Sequence, residues 1–241
     1  EFGIKEKDIY LYDSVMNKLN RKTKALLPNS IVNSTFSQFM LNKNRMGYEN
    51  LEDAFKKITN NIKENINIPT FTYLYLPHVD KWTDYQQKLL IEIRKLKEDD
   101  IENLEIVITA DHGQIDVKKE IIMDFNKYAE YFYALPGIDF GTATYYVKKE
   151  KEEEFLTEFE RDYKDEMYIF RTKEYIENGI FGSKEISKYM ASNSGEFISF
   201  CKKGAYFVNT MENENDYIGK IKGSHSGFSK EEIMIPLIII N

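Results

Sequence analysis

Two residues that could bind a metal ion, Asp111 and His112, closely follow an apolar run of β-branched residues at 106–108. The run predicts a buried strand of a parallel sheet, and open α/β sheets bind ligands just beyond the carboxyl ends of their strands. Carboxylate oxygen and imidazole nitrogen are ligands of zinc and related divalent ions. On this dipeptide alone, a turn aspartate beside a surface histidine is the simpler explanation, so the rest of the chain must decide.

The three histidines of the chain all lie beside predicted strand ends or in glycine-flanked loops. His112 is followed by a glycine, His225 lies in a glycine-bracketed loop at 223–227, and His78 follows the predicted strand 69–76. A random scatter would seldom produce this placement. Histidine together with aspartate is the ligand set of zinc and related metals, so the pattern favours a metal site.

A strand–helix–strand unit predicts how these residues meet. Residues 69–76 are β-branched and aromatic, 84–97 have the apolar spacing of an amphipathic helix, and 104–108 form the next strand. Segments of this length predict two parallel strands joined by a right-handed crossover. Both strands then end at the same edge of the sheet, which places Asp80 near Asp111 and its neighbouring histidine.

The remaining segments complete an α/β pattern in one domain, 1–241, with a largely parallel sheet, helices on both faces and a subsidiary α/β lobe at 140–210. Asn50 is the predicted cap of a helix at 50–66. The other predicted elements are a helix at 10–19, a strand at 23–27, a loop with brief helix at 31–48, a strand at 142–147, a helix at 149–163, strands at 167–170 and 197–200, a capping box at Ser229 and Glu232, and a last buried strand at 236–240.

Composition excludes several classes of protein. The 241 residues are 42% hydrophobic and 30% charged, as in globular proteins with a core. A net charge of −7 argues against a broad nucleic-acid surface, although not against one small anionic ligand. The longest apolar run, 233–240, is far too short to span a bilayer, so we expect no membrane association through such a span.

The cysteine content and the first residues bear on the compartment. Cys201 is the only cysteine, so no intrachain disulfide is possible, and this is compatible with a reducing compartment. The sequence begins at Glu1 without Met and without a signal-peptide pattern. We therefore expect a cytoplasmic protein that extends upstream of Glu1.

Three segments resemble the alkaline phosphatase superfamily, in its bacterial type I phosphodiesterase/nucleotide pyrophosphatase branch. They are 72–80 (TYLYLPHVD), 107–117 (VITADHGQIDV) and 223–237 (GSHSGFSKEEIMIPL), and their order, spacing and strand context all match. The resemblance covers nearly the whole chain and implies that it is the C-terminal part of such a domain. It also implies two divalent metal ions, with zinc first and Mn²⁺ or Mg²⁺ as alternatives, that clamp the attacking and leaving oxygens of a displacement at phosphorus.

The resemblance assigns roles to individual residues. Asp111 and His112 match the pair that binds the metal activating a Thr or Ser nucleophile, and Asp80 and His225 match ligands of the other metal. The family pattern has a histidine where this chain has Asp84. Two interpretations of that carboxylate stay open, since it could bind a harder ion or cap the helix that begins there.

The nucleophile itself has no match in this chain, and His78 matches no ligand and is interpreted as a structural or cleft-wall residue. The resemblance puts the nucleophile and one more metal-binding aspartate in an N-terminal half upstream of Glu1. We therefore expect a fragment whose sheet exposes an apolar edge when that half of the domain is missing.

The implied activity is metal-dependent hydrolysis of phosphodiester or nucleotide pyrophosphate bonds in a small phosphate-ester or nucleotide substrate. Two alternatives stay open: a phosphomonoesterase or phosphonate hydrolase of the same superfamily, and an inert metal-binding or scaffold module. The sequence does not determine the oligomeric state.

Overall fold

The computed structural model describes residues 13–77, 83–99, 101, 103–180, 182, 194–202, 204–208 and 222–241. The chain divides into two compact units, Glu1–Leu104 and Glu105–Asn241. Both units mix helices and strands, so the α/β fold class expected from the sequence is confirmed. Within these residues, no helix combines the length and the apolar character needed to cross a bilayer.

The first unit is built on a parallel sheet with the strand order β2–β1–β3. Its strands are β1 (Lys22–Pro28), β2 (Arg45–Tyr48) and β3 (Thr70–Leu74), and its helices are α1 (Val15–Lys18), α2 (Thr35–Leu41), α3 (Leu51–Glu64) and α4 (Thr83–Glu98), with a 3-10 turn at Asn42–Asn44. The predicted strands at 23–27 and 69–76 are confirmed. Strand β2 lies in a segment where we expected only loop and brief helix. The sequence did not predict this strand because its four residues show no alternation of apolar and polar side chains.

Helix α3 forms for the reasons visible in its sequence. The Asn50 side chain accepts a hydrogen bond from the backbone N of Asp53 at 2.9 Å, which satisfies one of the free N–H groups at the helix start. The sequence predicts one apolar stripe of five residues, of which Ile62 is partly buried and the other four are buried: Leu51, Ala54, Phe55 and Ile58. The predicted cap and stripe are therefore both confirmed.

The second unit contains the remaining strands and helices. Its strands are β4 (Ile106–Thr109), β5 (Ile115–Asp116), β6 (Lys119–Ile122), β7 (Gly137–Asp139), β8 (Thr142–Tyr145), β9 (Met167–Arg171), β10 (Phe197–Cys201), β11 (Ala205–Val208), β12 (Gly223–Ser224) and β13 (Leu237–Ile240). Its helices are α5 (Phe125–Tyr128), α6 (Glu152–Tyr163), α7 (Thr172–Glu177) and α8 (Lys230–Ile233), with 3-10 turns at Ala129–Tyr131 and Lys149–Lys151.

A four-stranded antiparallel sheet, β7–β8–β10–β9, holds the main core of this unit. Strands β8 and β9 are both antiparallel to β10, so they are parallel to each other and the helix α6 joins them as a split βαβ unit. Aromatic side chains fill the core, with Tyr145, Phe155 and Phe197 fully buried. This sheet lies largely within the lobe expected at 140–210; the domain limits 1–241 and 140–210 stay predictions.

The expected burial of β4 and β13 is wrong. The two strands pair antiparallel with each other, and both leave apolar side chains exposed. Val107 is 52% exposed, and Leu237 is 69% exposed. An apolar β-branched run indicates that a strand is suited to burial. It does not determine the direction of the strand, and it does not ensure that another helix or strand packs on its face. The predicted parallel direction of β3 and β4 concerns strands of different units and stays a prediction.

Candidate metal centre

A very short antiparallel ladder brings two of the three histidines together. Strand β5 begins three residues after His112, β12 ends one residue before His225, and Ile115 pairs with Ser224. Both histidines therefore leave the ladder at the same end. Their rings stack, with centroids 3.8 Å apart and ring planes inclined by 17°.

The proton on His112 can be assigned from its hydrogen bond. The Nδ1 atom lies 2.8 Å from the carbonyl O of Gly113. Because a carbonyl can only accept, Nδ1 carries the hydrogen, and in the neutral ring Nε2 keeps its lone pair. That Nε2 atom is 3.6 Å from Oδ1 of Asp111, whose side chain is 80% exposed. His112 and Asp111 thus present a nitrogen and an oxygen donor on the same loop.

The ring of His225 is held by a different kind of contact. Its Nδ1 atom lies 2.9 Å from the hydroxyl Oγ of Ser226, and that hydroxyl donates to Oδ2 of Asp139 at 3.0 Å. Sequence reasoning missed both residues. Ser226 and Asp139 are 87 positions apart, so no local pattern could have paired them.

The loops carrying the two histidines are pressed against helix α8. The backbone N of Gly113 donates to the carbonyl O of Glu232 at 2.7 Å, and a Cβ at position 113 would lie only 1.9 Å from the carbonyl O of Glu231. The buried carboxylate of Glu232 accepts from the backbone N of Gly227 at 2.9 Å and of Ser229 at 3.1 Å. The predicted capping box is confirmed, and this acidic side chain holds the loop in place.

Cys201 lies close to the same loop, but its thiol is buried and is not ionised at neutral pH. Burial, together with the negative charge of Glu232, raises the pKa of the thiol to about 12. A thiol needs to ionise before it can bind zinc or act as a nucleophile. Cys201 is therefore a core residue whose backbone N donates to the carbonyl O of Gly141 at 2.7 Å.

The other predicted site residues lie outside what the structure describes. Asp80 and His78 fall in the segment 78–82. Asp84 is placed by its backbone in the first turn of α4, one residue inside the helix, but its side chain is not described. Across the described ranges, no group of three or more His, Cys, Asp or Glu side chains is arranged to hold a metal ion. The structure thus shows a histidine pair, and metal ligation by the five predicted residues stays a prediction.

Comparison of the sequence with protein-family models finds no match, and comparison with curated proteins finds none either. Solved structures do match, and among them are a phosphodiesterase/pyrophosphatase and a phosphonate hydrolase. The human ectonucleotide pyrophosphatase/phosphodiesterase 5 is similar with a TM-score of 0.61 and 16% identity, over 92% of this chain and 61% of its own. Phosphonoacetate hydrolase from Sinorhizobium meliloti 1021, in complex with phosphonoacetate, gives a TM-score of 0.63 and 11% identity, over 93% and 66%.

A third structure is an inactive form of the murine ectonucleotide pyrophosphatase/phosphodiesterase 5 in complex with AMP. It gives a TM-score of 0.57 and 15% identity over 92% of this chain and 60% of its own. This chain therefore spans about three fifths to two thirds of the length of the structures that it matches. At such low identities the likeness shows the fold, which is the alkaline phosphatase-like fold expected from the sequence.

Proposed function

We propose that the protein is a metal-dependent hydrolase of phosphodiester or nucleotide pyrophosphate bonds. The observation that carries the proposal is the stacking of His112 on His225 at 3.8 Å. Two-metal sites for displacement at phosphorus hold their ions about 3.5–4 Å apart. The stacked rings bring two imidazoles to one end of the β5–β12 ladder, so a nitrogen donor is present for each of the two proposed ions.

In this proposal, Asp111 and His112 hold one ion, and His225 holds the other together with Asp80 and Asp84. Zinc is the ion that imidazole and carboxylate donors favour, with Mn²⁺ or Mg²⁺ as alternatives. When bound, such ions supply Lewis-acid stabilisation of the attacking and leaving oxygens. The attacking group is a Thr or Ser outside these 241 residues.

The protein's own contribution at this site is to hold the donors in place. The Nδ1–H of His112 is fixed on the Gly113 carbonyl, which keeps Nε2 free of its proton. The backbone of Gly113 binds the carbonyl O of Glu232, and the carboxylate of Glu232 binds the backbone N of Gly227, so helix α8 holds both histidine loops. A loop displaced by about 1 Å can cost a hundredfold in rate, so this fixing is a large part of what the fold supplies.

A small substrate carrying phosphorus agrees with what the similar structures contain. The murine protein was solved with AMP, and the Sinorhizobium enzyme with phosphonoacetate. The TM-score of 0.63 to the latter, against 0.61 to the human protein, keeps phosphonate hydrolysis as a second candidate. We favour the diester because the quoted sequence segments resemble the phosphodiesterase branch.

Hydrolysis assays on the full-length protein, loaded with Zn²⁺, test this function. We expect bis-p-nitrophenyl phosphate to be cleaved faster than p-nitrophenyl phosphate or phosphonoacetate. His112→Ala and His225→Ala should each reduce that rate by at least about a hundredfold, since even outer-shell metal partners are worth about 10–100-fold. A loaded protein that cleaves neither this diester nor a nucleotide pyrophosphate bond would refute the proposal.

Metal content tests the same proposal without a substrate. We expect His225→Ala to lower the zinc bound per chain, measured by mass spectrometry of the metal, while the matched variant His78→Ala keeps it. The reason is that His225 belongs to the stacked pair, whereas His78 matches no ligand in the family pattern. An equal loss in both variants would show that His78 had been wrongly set aside.

A further inference from the structure

We propose that Ser226 and Asp139 are positioning residues that fix the proton and the orientation of the His225 ring. Their effect on metal binding rests on the proposed function, whereas their effect on the ring itself does not. The observation is the chain of contacts from the carboxylate of Asp139, through the hydroxyl of Ser226, to Nδ1 of His225.

A count of hydrogens fixes the direction of this chain. A serine hydroxyl has one hydrogen, and a carboxylate can only accept when it is ionised. The Ser226 hydroxyl donates its hydrogen to Oδ2 of Asp139 at 3.0 Å. It can then only accept from the imidazole, so Nδ1 of His225 at 2.9 Å carries the hydrogen. In the neutral ring Nε2 therefore keeps a free lone pair, as it does in His112.

The backbone at Ser226 shows that this serine is held in an unfavourable conformation. Its φ is 75°, in the left-handed region that a side chain with a Cβ seldom adopts. The Thr142 hydroxyl donates to the Ser226 carbonyl, and the Ser226 hydroxyl binds Asp139, so the β7–β8 hairpin holds the residue from both sides. Such a conformation persists only where surrounding contacts enforce it.

The hairpin also approaches the histidine loop too closely for a side chain between them. A Cβ at Gly141 would lie 2.3 Å from the backbone N of Gly227 and 2.6 Å from the carbonyl C of Ser226. Asp139 therefore lies next to a turn whose backbone packs directly on the His225 loop. The side chain of Asp139 is itself exposed. This packing gives the carboxylate a defined position relative to His225.

The consequence for a ligand concerns Nε2 of His225. Histidines that bind metals usually donate their other ring N–H to a carboxylate, carbonyl or water, and this fixes the tautomer and raises the basicity of the ligand. Here the donation reaches a carboxylate through one hydroxyl. Removal of the hydroxyl leaves the ring free to exchange its proton between both nitrogens and to rotate.

The test measures the tautomer and zinc affinity separately in the full-length protein, whose unsubstituted form is the parent chain. At about pH 8.5, where imidazole is neutral, ¹⁵N–¹H correlation spectra distinguish protonated from unprotonated ring nitrogens. We expect Nδ1 of His225 to be protonated in the parent chain. In Ser226→Gly the two tautomers should be mixed, and competition with a chromophoric chelator should show a roughly tenfold loss of Zn²⁺ affinity.

Three comparisons keep this test decisive. Asp139→Ala should shift the tautomer in the same direction, because the Ser226 hydroxyl loses its acceptor and can then donate to His225. Asp165→Ala, a matched change at an exposed turn, should leave the spectrum unchanged. His112, whose Nδ1 binds a backbone carbonyl, should keep its tautomer in every variant and serves as an internal control.

The outcomes separate the positioning role from the proposed function. Glycine tolerates the φ of 75°, so Ser226→Gly is expected to fold. A parent chain with the His225 proton on Nε2, or a Ser226→Gly variant with an unchanged tautomer, would overturn the inference. If the tautomer changes as expected but the parent chain binds no zinc, the positioning role stands and the proposed function fails.

Discussion

Replacement of Gly113 by alanine should push the His112 loop away from helix α8. A Cβ at this position would lie 1.9 Å from the carbonyl O of Glu231 and 2.9 Å from its carbonyl C. An ordinary carbon–oxygen contact is about 3.3 Å, so the loop and the helix have to move apart by about 1.4 Å. The obstacle is backbone, which cannot rotate aside as the end of a side chain could. The movement would also stretch the bond from the Gly113 N to the Glu232 O, now 2.7 Å.

The expected cost follows from those two contacts. Forcing an extra methyl into a closely packed region typically costs about 1–3 kcal/mol, and a lost backbone hydrogen bond adds about 1 kcal/mol. We therefore expect the free energy of unfolding to fall by about 2–4 kcal/mol. For a chain of this length, that corresponds to a decrease of roughly 5–15 °C in Tm.

Thermal unfolding followed by circular dichroism checks the stability, and chelator competition checks Zn²⁺ affinity. Gly137→Ala is the matched control, because a Cβ there meets only the Thr144 hydroxyl, at 2.9 Å, and that hydroxyl can rotate. We expect the control to stay within about 1 kcal/mol of the parent chain. If Gly113→Ala unfolds at the parent temperature and binds zinc with parent affinity, then the close packing of the histidine loops against α8 is not what holds them.

Three further experiments each have a definite expected outcome. Glu232→Gln weakens the charge-assisted bond from the Gly227 N at 2.9 Å and should lower the free energy of unfolding by about 1–2 kcal/mol, measured in urea. Burial alone would raise the pKa of Asp162, but hydrogen bonds, led by the one from Lys127, lower this pKa overall. The free energy of unfolding should therefore fall as the pH drops below about 4, because the folded state binds this proton less readily than the unfolded state. Asp162→Asn should make the free energy of unfolding less dependent on pH in this range. Cys201, with its pKa raised to about 12 by burial, should resist Ellman's reagent at pH 8 until the chain is unfolded.

Local sequence patterns correctly predicted the structural features that depend only on residues near one another in the sequence. The cap at Asn50, the apolar stripe of α3 and the capping box at Ser229 depend on residues within one or two turns, and all three are confirmed. Strand β2 was missed because its place beside β1 is decided by tertiary pairing. Strand propensity reflects packing on neighbours more than an intrinsic backbone preference, so a short strand without alternation leaves no local signal.

The candidate site also has a part that local sequence patterns predicted and a part that they did not. The glycine-flanked positions of His112 and His225 indicated loops at strand ends, and the stacked rings show that these two loops meet. The role of Ser226 left no signal, because neither its φ of 75° nor its contact with a residue 87 positions away is encoded by its neighbours. A sequence shows which side chains are able to bind a metal, whereas the groups that orient them depend on the fold.

The exposed apolar strands β4 and β13 bear on how the histidine pair is held. These strands flank the two histidine loops in sequence, yet Val107, Ile238 and Ile239 are each about half exposed. They add little buried surface to the ladder of β5 and β12, which pairs only two residues from each strand. The separation of the two imidazoles must therefore be maintained mainly by contacts of the loops themselves, the Gly113 backbone on α8 and the β7–β8 hairpin on Ser226. It follows that substitutions at these contacts should disturb the rings more than substitutions of equal size on β13.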